Sequence, residues 1–290
     1  MKALALKKAL REGQVPLGTW VFQFNTPGIA RLLASAGADF VVFDMEHSGF
    51  GADSVRALLA ETQSLEMAGW VRPPAGEYHL IAPLLDAGAE GIIAPMVETA
   101  EAAARVARAC RYPPQGRRGA AFSVAHDGFL PGSVPEKMRA ADERIVCGLL
   151  IESQRGVENL EKILAVPGID LLWVGFLDLS ITMGIPGEFE APRFVAAVER
   201  ILKLSAERGI PAGIMVKDPE QGLKRIREGF RCLSYWGDVW LLQRALAEGI
   251  GAIRRELSRV PPQKSKARRQ LVSAQARRHS KLARPPKAKK

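Results

Sequence analysis

The chain has 290 residues, 47% of them hydrophobic and 25% charged, which suits one large globular α/β domain and requires no second core. Its net charge of +10 is concentrated: residues 261–290 hold 11 of the 41 Lys and Arg and no acid, leaving 30 basic against 31 acidic side chains in the first 260. That near-neutral body argues against a basic nucleic-acid-binding fold. Three cysteines without CxxC spacing argue against a disulfide framework or zinc knuckle, and no run approaches the ~18 apolar residues of a membrane span.

The expected organisation is therefore a folded domain over residues 1–260 and a basic tail over 261–290. The tail is poor in apolar residues and dense in like charge, so it is expected to be disordered. It is either a solvated extension or a weak attractor of nucleic acid or anionic lipid at low salt.

Taken in chain order, MKALALKKALREG at the amino terminus is basic but lacks the uninterrupted apolar core of a signal peptide. It predicts a short amphipathic helix and a cytoplasmic protein. Strand-length apolar runs then recur at 17–22, 40–43, 69–71, 91–94, 145–151, 171–175, 211–216 and 232–235. Helical patterns alternate with them at 28–36, 54–64, 78–86, 99–108, 157–166, 194–208, 219–228 and 239–257. Eight βα repeats with short buried strands predict an α/β fold, the (β/α)8 TIM barrel, whose functional groups gather at the carboxyl ends of the strands. An open doubly wound sheet would give a similar rhythm, but no GxGxxG follows the first strand. Residues 112–144 break the pattern with a long stretch rich in Pro, Gly and charge, expected to be a lid on the catalytic face or a subunit contact.

The residues just beyond the strands carry the chemistry. Asp44-Met45-Glu46-His47 follows the second strand, and His47 has the side chain best suited to accept and return a proton near neutral pH. Arg72 stands where the third strand stops; its guanidinium can hold a carboxylate or polarise a keto oxygen, or form a rim salt bridge with Glu46 or Asp86. Glu152 ends the fifth strand and Asp178 follows the sixth, 26 residues on. Parallel neighbouring strands bring such carboxylates to one end, where they can share a Mg²⁺ or Mn²⁺ ion, with water or substrate completing its shell. The alternative is that Glu152 caps the next helix and Asp178 a turn.

FDMEH at 43–47, VRPP at 71–74, LLDAGAEGIIAPMVET at 84–99, RYPPQGRRG at 111–119, IES at 151–153, GFLDLS at 175–180 and SYWGDVWLL at 234–242 together resemble the HpcH/HpaI aldolase family. The resemblance covers roughly residues 18–253 and includes 4-hydroxy-2-oxoheptanedioate and 2-dehydro-3-deoxyglucarate aldolases. It implies a (β/α)8 barrel, divalent-metal-dependent (class II) reversible cleavage of 2-keto-4-hydroxy acids to pyruvate and an aldehyde, and a homo-oligomer. The expected oligomer is a hexamer, a trimer of dimers built through an exchanged carboxyl-terminal helix. On this resemblance Glu152 and Asp178 hold the metal (Mg²⁺, Mn²⁺ or Co²⁺), His47 is the base, Asp86 the acid that pairs with it, and Arg72 lies at the keto oxygen. Backbone amides around Leu177 and Asp178 would receive the pyruvate carboxylate. Two positions depart from the family pattern: Leu150 stands where Gln is common, and Phe176 where GPxDLS has Pro. Trp173, Trp236 and Trp240 are expected to serve core and subunit packing, or else an apolar aldehyde pocket.

Other functions remain open at this level. Another metal-dependent carbon–carbon lyase of the same superfamily could act on a keto acid or acyl thioester. A phosphate-binding isomerase could use Arg117 and Arg118, but no Gly-rich cradle follows the seventh strand. Lys217 there raises a Schiff-base aldolase. A barrel scaffold recruited to nucleic acid through the tail is the non-enzymatic alternative.

Overall fold

Alternation of buried strands with amphipathic helices builds the architecture the sequence predicts. A computed structural model describes residues 3–259. Helix α1 (Ala3–Arg11) leads into β1 (Leu17–Val21), α2 (Gly28–Ser35), β2 (Phe40–Asp44), α3 (Ala52–Thr62), β3 (Ala68–Arg72), α4 (Tyr78–Asp86) and β4 (Gly91–Ala94). Then come α5 (Ala100–Ala109), α6 (Val134–Arg144), β5 (Val146–Ile151), α7 (Gln154–Glu158), α8 (Leu160–Leu164), β6 (Leu171–Val174) and α9 (Phe176–Thr182). The chain continues through α10 (Pro192–Glu207), β7 (Ala212–Val216), α11 (Pro219–Glu228), β8 (Cys232–Gly237) and α12 (Asp238–Arg259).

The eight strands pair in parallel in sequence order, and β8 returns to pair with β1, closing the barrel. Nearly every strand residue is buried, as a parallel sheet covered by helices requires. Side chains pointing inward, among them Trp20, Phe40, Trp70, Leu150 and Trp173, fill the barrel, and Leu6 and Leu10 of α1 join this cluster from the amino end. Each such fully buried leucine is worth about 1.5–3 kcal/mol relative to exposure.

Local signals set the helix limits. Thr99 accepts the Ala102 amide at 3.2 Å to start α5, and Asp218 accepts that of Gln221 at 2.7 Å to start α11, which Gly229 closes in the left-handed region at φ 118°. The helix expected over 157–166 is broken at Asn159, whose side chain donates to the Glu98 carbonyl at 2.9 Å instead of continuing one helix.

The stretch 112–144 is not a lid. It joins a helix to the following strand, and in a βα barrel that connection returns the chain to the amino ends, opposite the catalytic face. There α6 packs beside α1, and the two line a common cavity.

The described residues up to Leu242 form one compact unit. Gln243 begins a second, whose described part is the remainder of α12, with Leu246, Ile250, Ile253 and Leu257 spaced along one helical face. The tail expected to be disordered, 261–290, lies outside the described residues. Among the described residues no helix is long and apolar enough to cross a membrane.

Candidate active site

At the carboxyl ends of the strands a cleft of about 640 Å³ is lined by His47, Arg72, Glu152, Leu177 and Asp178 together with several aromatic side chains. Five of the six predicted site residues therefore meet in one place.

The β2 turn is built around Asp44, which is fully buried. Its carboxylate accepts the backbone amides of Glu46 at 3.1 Å and His47 at 3.0 Å, and its main-chain oxygen accepts the Ser48 hydroxyl. The same carboxylate receives Arg72 Nε at 2.6 Å, while Arg72 Nη1 lies 3.1 Å from Glu46 Oε2. A guanidinium held by two carboxylates has a fixed orientation, and its carbon sits 4.7 Å over the Trp20 ring. Asp44 thus positions both His47 and Arg72. Its place at a strand end was visible in the sequence; the two-way bonding was not, since it depends on β2 pairing with β3 in register, Asp44 beside Arg72.

Glu152 and Asp178 come together through the β5–β6 register, in which Ile151 pairs with Val174 and the Gly175 amide donates to the Ile151 carbonyl. Glu152 does not cap the next helix; Ser153 does, accepting the Gly156 amide at 3.0 Å. Glu152 Oε1 instead accepts the Met96 amide at 2.7 Å, delivered by a left-handed turn at Met96 (φ 51°). Its other oxygen lies where a Cβ on residue 175 would come within 2.5 Å, so only glycine fits there.

Electrostatically the site has too many carboxylates. Burial, then the neighbouring Glu46 and Asp178, push Glu152 up to about 7, against the opposing pull of the Met96 amide and Arg72. Glu46 is raised as well, chiefly by burial, with Arg72 opposing. Two carboxylates lining one cleft, with oxygen-only chemistry, fit a hard divalent cation. Among the described residues no cluster of three or more His, Cys, Asp or Glu could hold a metal alone. Glu152 and Asp178 would therefore supply two ligands and leave the remaining positions to substrate and water.

Asp86 is not brought to His47 in this chain. It ends α4, on the side where the chain returns to the amino ends, and its carboxylate accepts Arg118 Nη2 at 2.7 Å. The carboxylate beside His47 Nε2 is instead that of Glu46, at 3.7 Å. The Asp86 pairing occupies Arg118, which stacks over Tyr112 and is buried, so it offers phosphate no grip. Lys217 is not in the lining of the cleft; it lines an adjoining cavity of about 210 Å³, which shares Phe176, Met215 and Trp236 with it.

A closed barrel with paired acids, an arginine and a histidine at its carboxyl rim has the layout of a lyase site, and related sequences give the family. The HpcH/HpaI aldolase/citrate lyase family matches residues 17–237. A hydroxypyruvate/pyruvate aldolase of Roseobacter denitrificans is 35% identical over 81% of this chain and 91% of its own length. A 5-keto-4-deoxy-D-glucarate aldolase of Klebsiella pneumoniae is 33% identical over 82% and 92%. The crystal structure of an HpcH/HpaI aldolase from Desulfitobacterium hafniense superposes with a TM-score of 0.83 at 30% identity, covering 89% of this chain and 98% of that one. The chain belongs to the HpcH/HpaI aldolase/citrate lyase family and is a carbon–carbon lyase of the aldolase kind.

Proposed function

We propose that the protein is a divalent-metal-dependent aldolase that reversibly cleaves a 2-keto-4-hydroxy acid to pyruvate and an aldehyde. The observation that carries this reading is the pair Glu152 and Asp178 lining one cleft at the barrel rim, with Arg72 and His47 in the same lining. The names of the relatives, aldolases of pyruvate, hydroxypyruvate and a keto-deoxy sugar acid, support it.

Glu152 and Asp178 hold the ion, Mg²⁺, Mn²⁺ or Co²⁺, which when bound supplies Lewis-acid polarisation of the keto acid. Amides of the first turn of α9, at Leu177 and Asp178, have no partners within the helix and receive the substrate carboxylate. Arg72 stabilises the keto oxygen as enolate charge gathers on it. His47, exposed at the mouth and beside Glu46, takes the proton from the 4-hydroxyl while the C3–C4 bond breaks.

The test is pyruvate release from a panel of 4-hydroxy-2-keto acids. Activity should vanish in EDTA and return with Mn²⁺, Mg²⁺ or Co²⁺. Irreversible labelling of a lysine by borohydride in the presence of pyruvate would overturn the reading in favour of a Schiff base.

A further inference from the structure

The cleft has two chemically different ends. Near the barrel axis stand Arg72 and the carboxylates. From Arg72 outward runs an aromatic wall: the guanidinium covers Trp20, whose ring stacks on Phe22 at 5.9 Å and 16°. Phe22 meets Trp240 edge-on at 5.0 Å, and Trp240 stacks on Trp236 at 6.4 Å and 20°. Trp20 Nε1 is already committed to Ser234 Oγ at 3.0 Å, so this indole offers its face rather than its N–H.

Three backbone features hold the wall. Asp238 is buried, and its carboxylate accepts the amides of Phe22, Gln23 and Phe24 at 3.0, 3.0 and 2.9 Å, tying the β1 loop to the start of α12. Gly237 lets the rings approach, since a Cβ there would lie 2.8 Å from Phe22 and 3.0 Å from Trp240. Trp236 adopts φ 48°, a left-handed conformation that is costly for a bulky side chain and persists only where its surroundings enforce it. Rings that served only as core would be fully buried. Phe22, Trp236 and Trp240 are instead half-buried and line the open cleft. Leu150, two residues before Glu152 on the same face of β5, adds an apolar floor.

We propose that this wall is the subsite for the aldehyde half of the substrate and that it receives a flat apolar substituent, an aryl group above all, in preference to a hydroxylated chain. The proposal rests on the aldolase reading above. Its physical basis is that aromatic faces stack on a flat ring, whereas hydroxyls entering the slot leave water for a lining in which Gln23, His47 and indole N–H groups are the uncharged polar groups among mostly apolar side chains. In the cleavage of 4-hydroxy-2-oxo-4-phenylbutanoate the C3–C4 bond breaks and its electron pair stays on C3, which takes a proton to give pyruvate. The C4 hydroxyl loses its proton and becomes the carbonyl of benzaldehyde, so no oxidant or reductant is needed.

The experiment compares kcat/KM of the full-length, Mn²⁺-loaded protein for that compound and for 4,5-dihydroxy-2-oxopentanoate, in the wild type and in variants. The phenyl substrate should be preferred by about tenfold or more. Trp240→Ala should lower its kcat/KM by about tenfold while lowering that of the dihydroxy substrate by less than about threefold. Leu150→Gln should narrow the preference from the other side of the slot; it serves as the readout, with Trp240→Leu, should Trp240→Ala fail to fold. A wild-type preference for the dihydroxy substrate, or an equal loss of both in the Trp240 variant, overturns the aryl subsite and leaves the aldolase standing. Turnover of neither substrate by a wild type that releases pyruvate from another 4-hydroxy-2-keto acid overturns the subsite alone; release from none of the panel overturns the aldolase reading, and the subsite falls with it.

Discussion

The two ends of the barrel both bury charge, and they bury it differently. At the amino end Lys7 lies 3.0 Å from Asp170, donates to the Ile145 carbonyl at 2.6 Å, and shares Asp170 with Arg111 and Arg11. Asp170 also accepts the Cys147 amide at 3.0 Å, and Asp142 accepts that of Tyr112 at 3.2 Å. In this Lys7–Asp170–Arg111 network each charge meets an opposite charge, and backbone groups complete it. Burial above all, with the neighbouring Arg111 and Arg11, holds the Lys7 ammonium below the ordinary lysine range despite the support of Asp170. At the carboxyl end Asp44, Glu46, Glu152 and Asp178 gather around the single guanidinium of Arg72, and two of the four are pushed upward. The difference teaches that a balanced buried network marks a structural joint, whereas a buried excess of one sign marks a place left for an opposite charge.

The largest effect that could break this comparison is on stability. Asp170→Ala leaves Lys7 and Arg111 buried without their shared carboxylate and should cost about 3–5 kcal/mol in chemical denaturation. The kcat/KM of the remaining folded protein should not change; a change there would mean the amino end is not purely structural. Glu152→Gln should do the reverse. Pyruvate release and Mn²⁺ binding should be lost, with activity down about 10³-fold, while the melting temperature stays level or rises because a crowded carboxylate is gone. Arg72→Lys keeps the charge but not the fork that spans Asp44 and Glu46, and should lower kcat/KM about 10²-fold in steady-state assays.

The smallest effect sharpens the amino end. His126 is held below its ordinary value, first by burial and then by Arg118, against the bond of its Nε2 to the Ala121 oxygen; its Nδ1 is buried without a partner. The unfolded chain therefore binds the proton more readily, and stability should fall as pH drops through about 6.5. His126→Gln should flatten that acid limb in denaturation curves at pH 5 and 7. An unchanged slope would remove His126 as its source.

Much of the fold was legible in the sequence because short apolar runs alternating with helical periodicity have few other solutions. Glu152 and Asp178 were legible for the same reason: one directly follows such a run and the other stands three residues beyond one, and parallel strands bring their ends together. Helix α6 was hidden because Pro and charge in 134–144 mask a helix that begins at a Ser133 cap, whose hydroxyl accepts the Glu136 amide at 3.4 Å. Asp86 was misplaced because a motif says nothing of which end of a helix faces the cleft, and here the carboxylate turns to Arg118.

The sequence by itself determined the repeat, the polarity of the strands and hence which loops carry chemistry, since these follow from local periodicity and from the direction of the chain. Tertiary structure alone decided which charges meet. The bonding of Asp44, the Met96 amide on Glu152, and the clamp of Asp238 on the aromatic wall each join residues 28 to 216 positions apart. Contacts at such separations are set by barrel register and closure, and no local pattern encodes them.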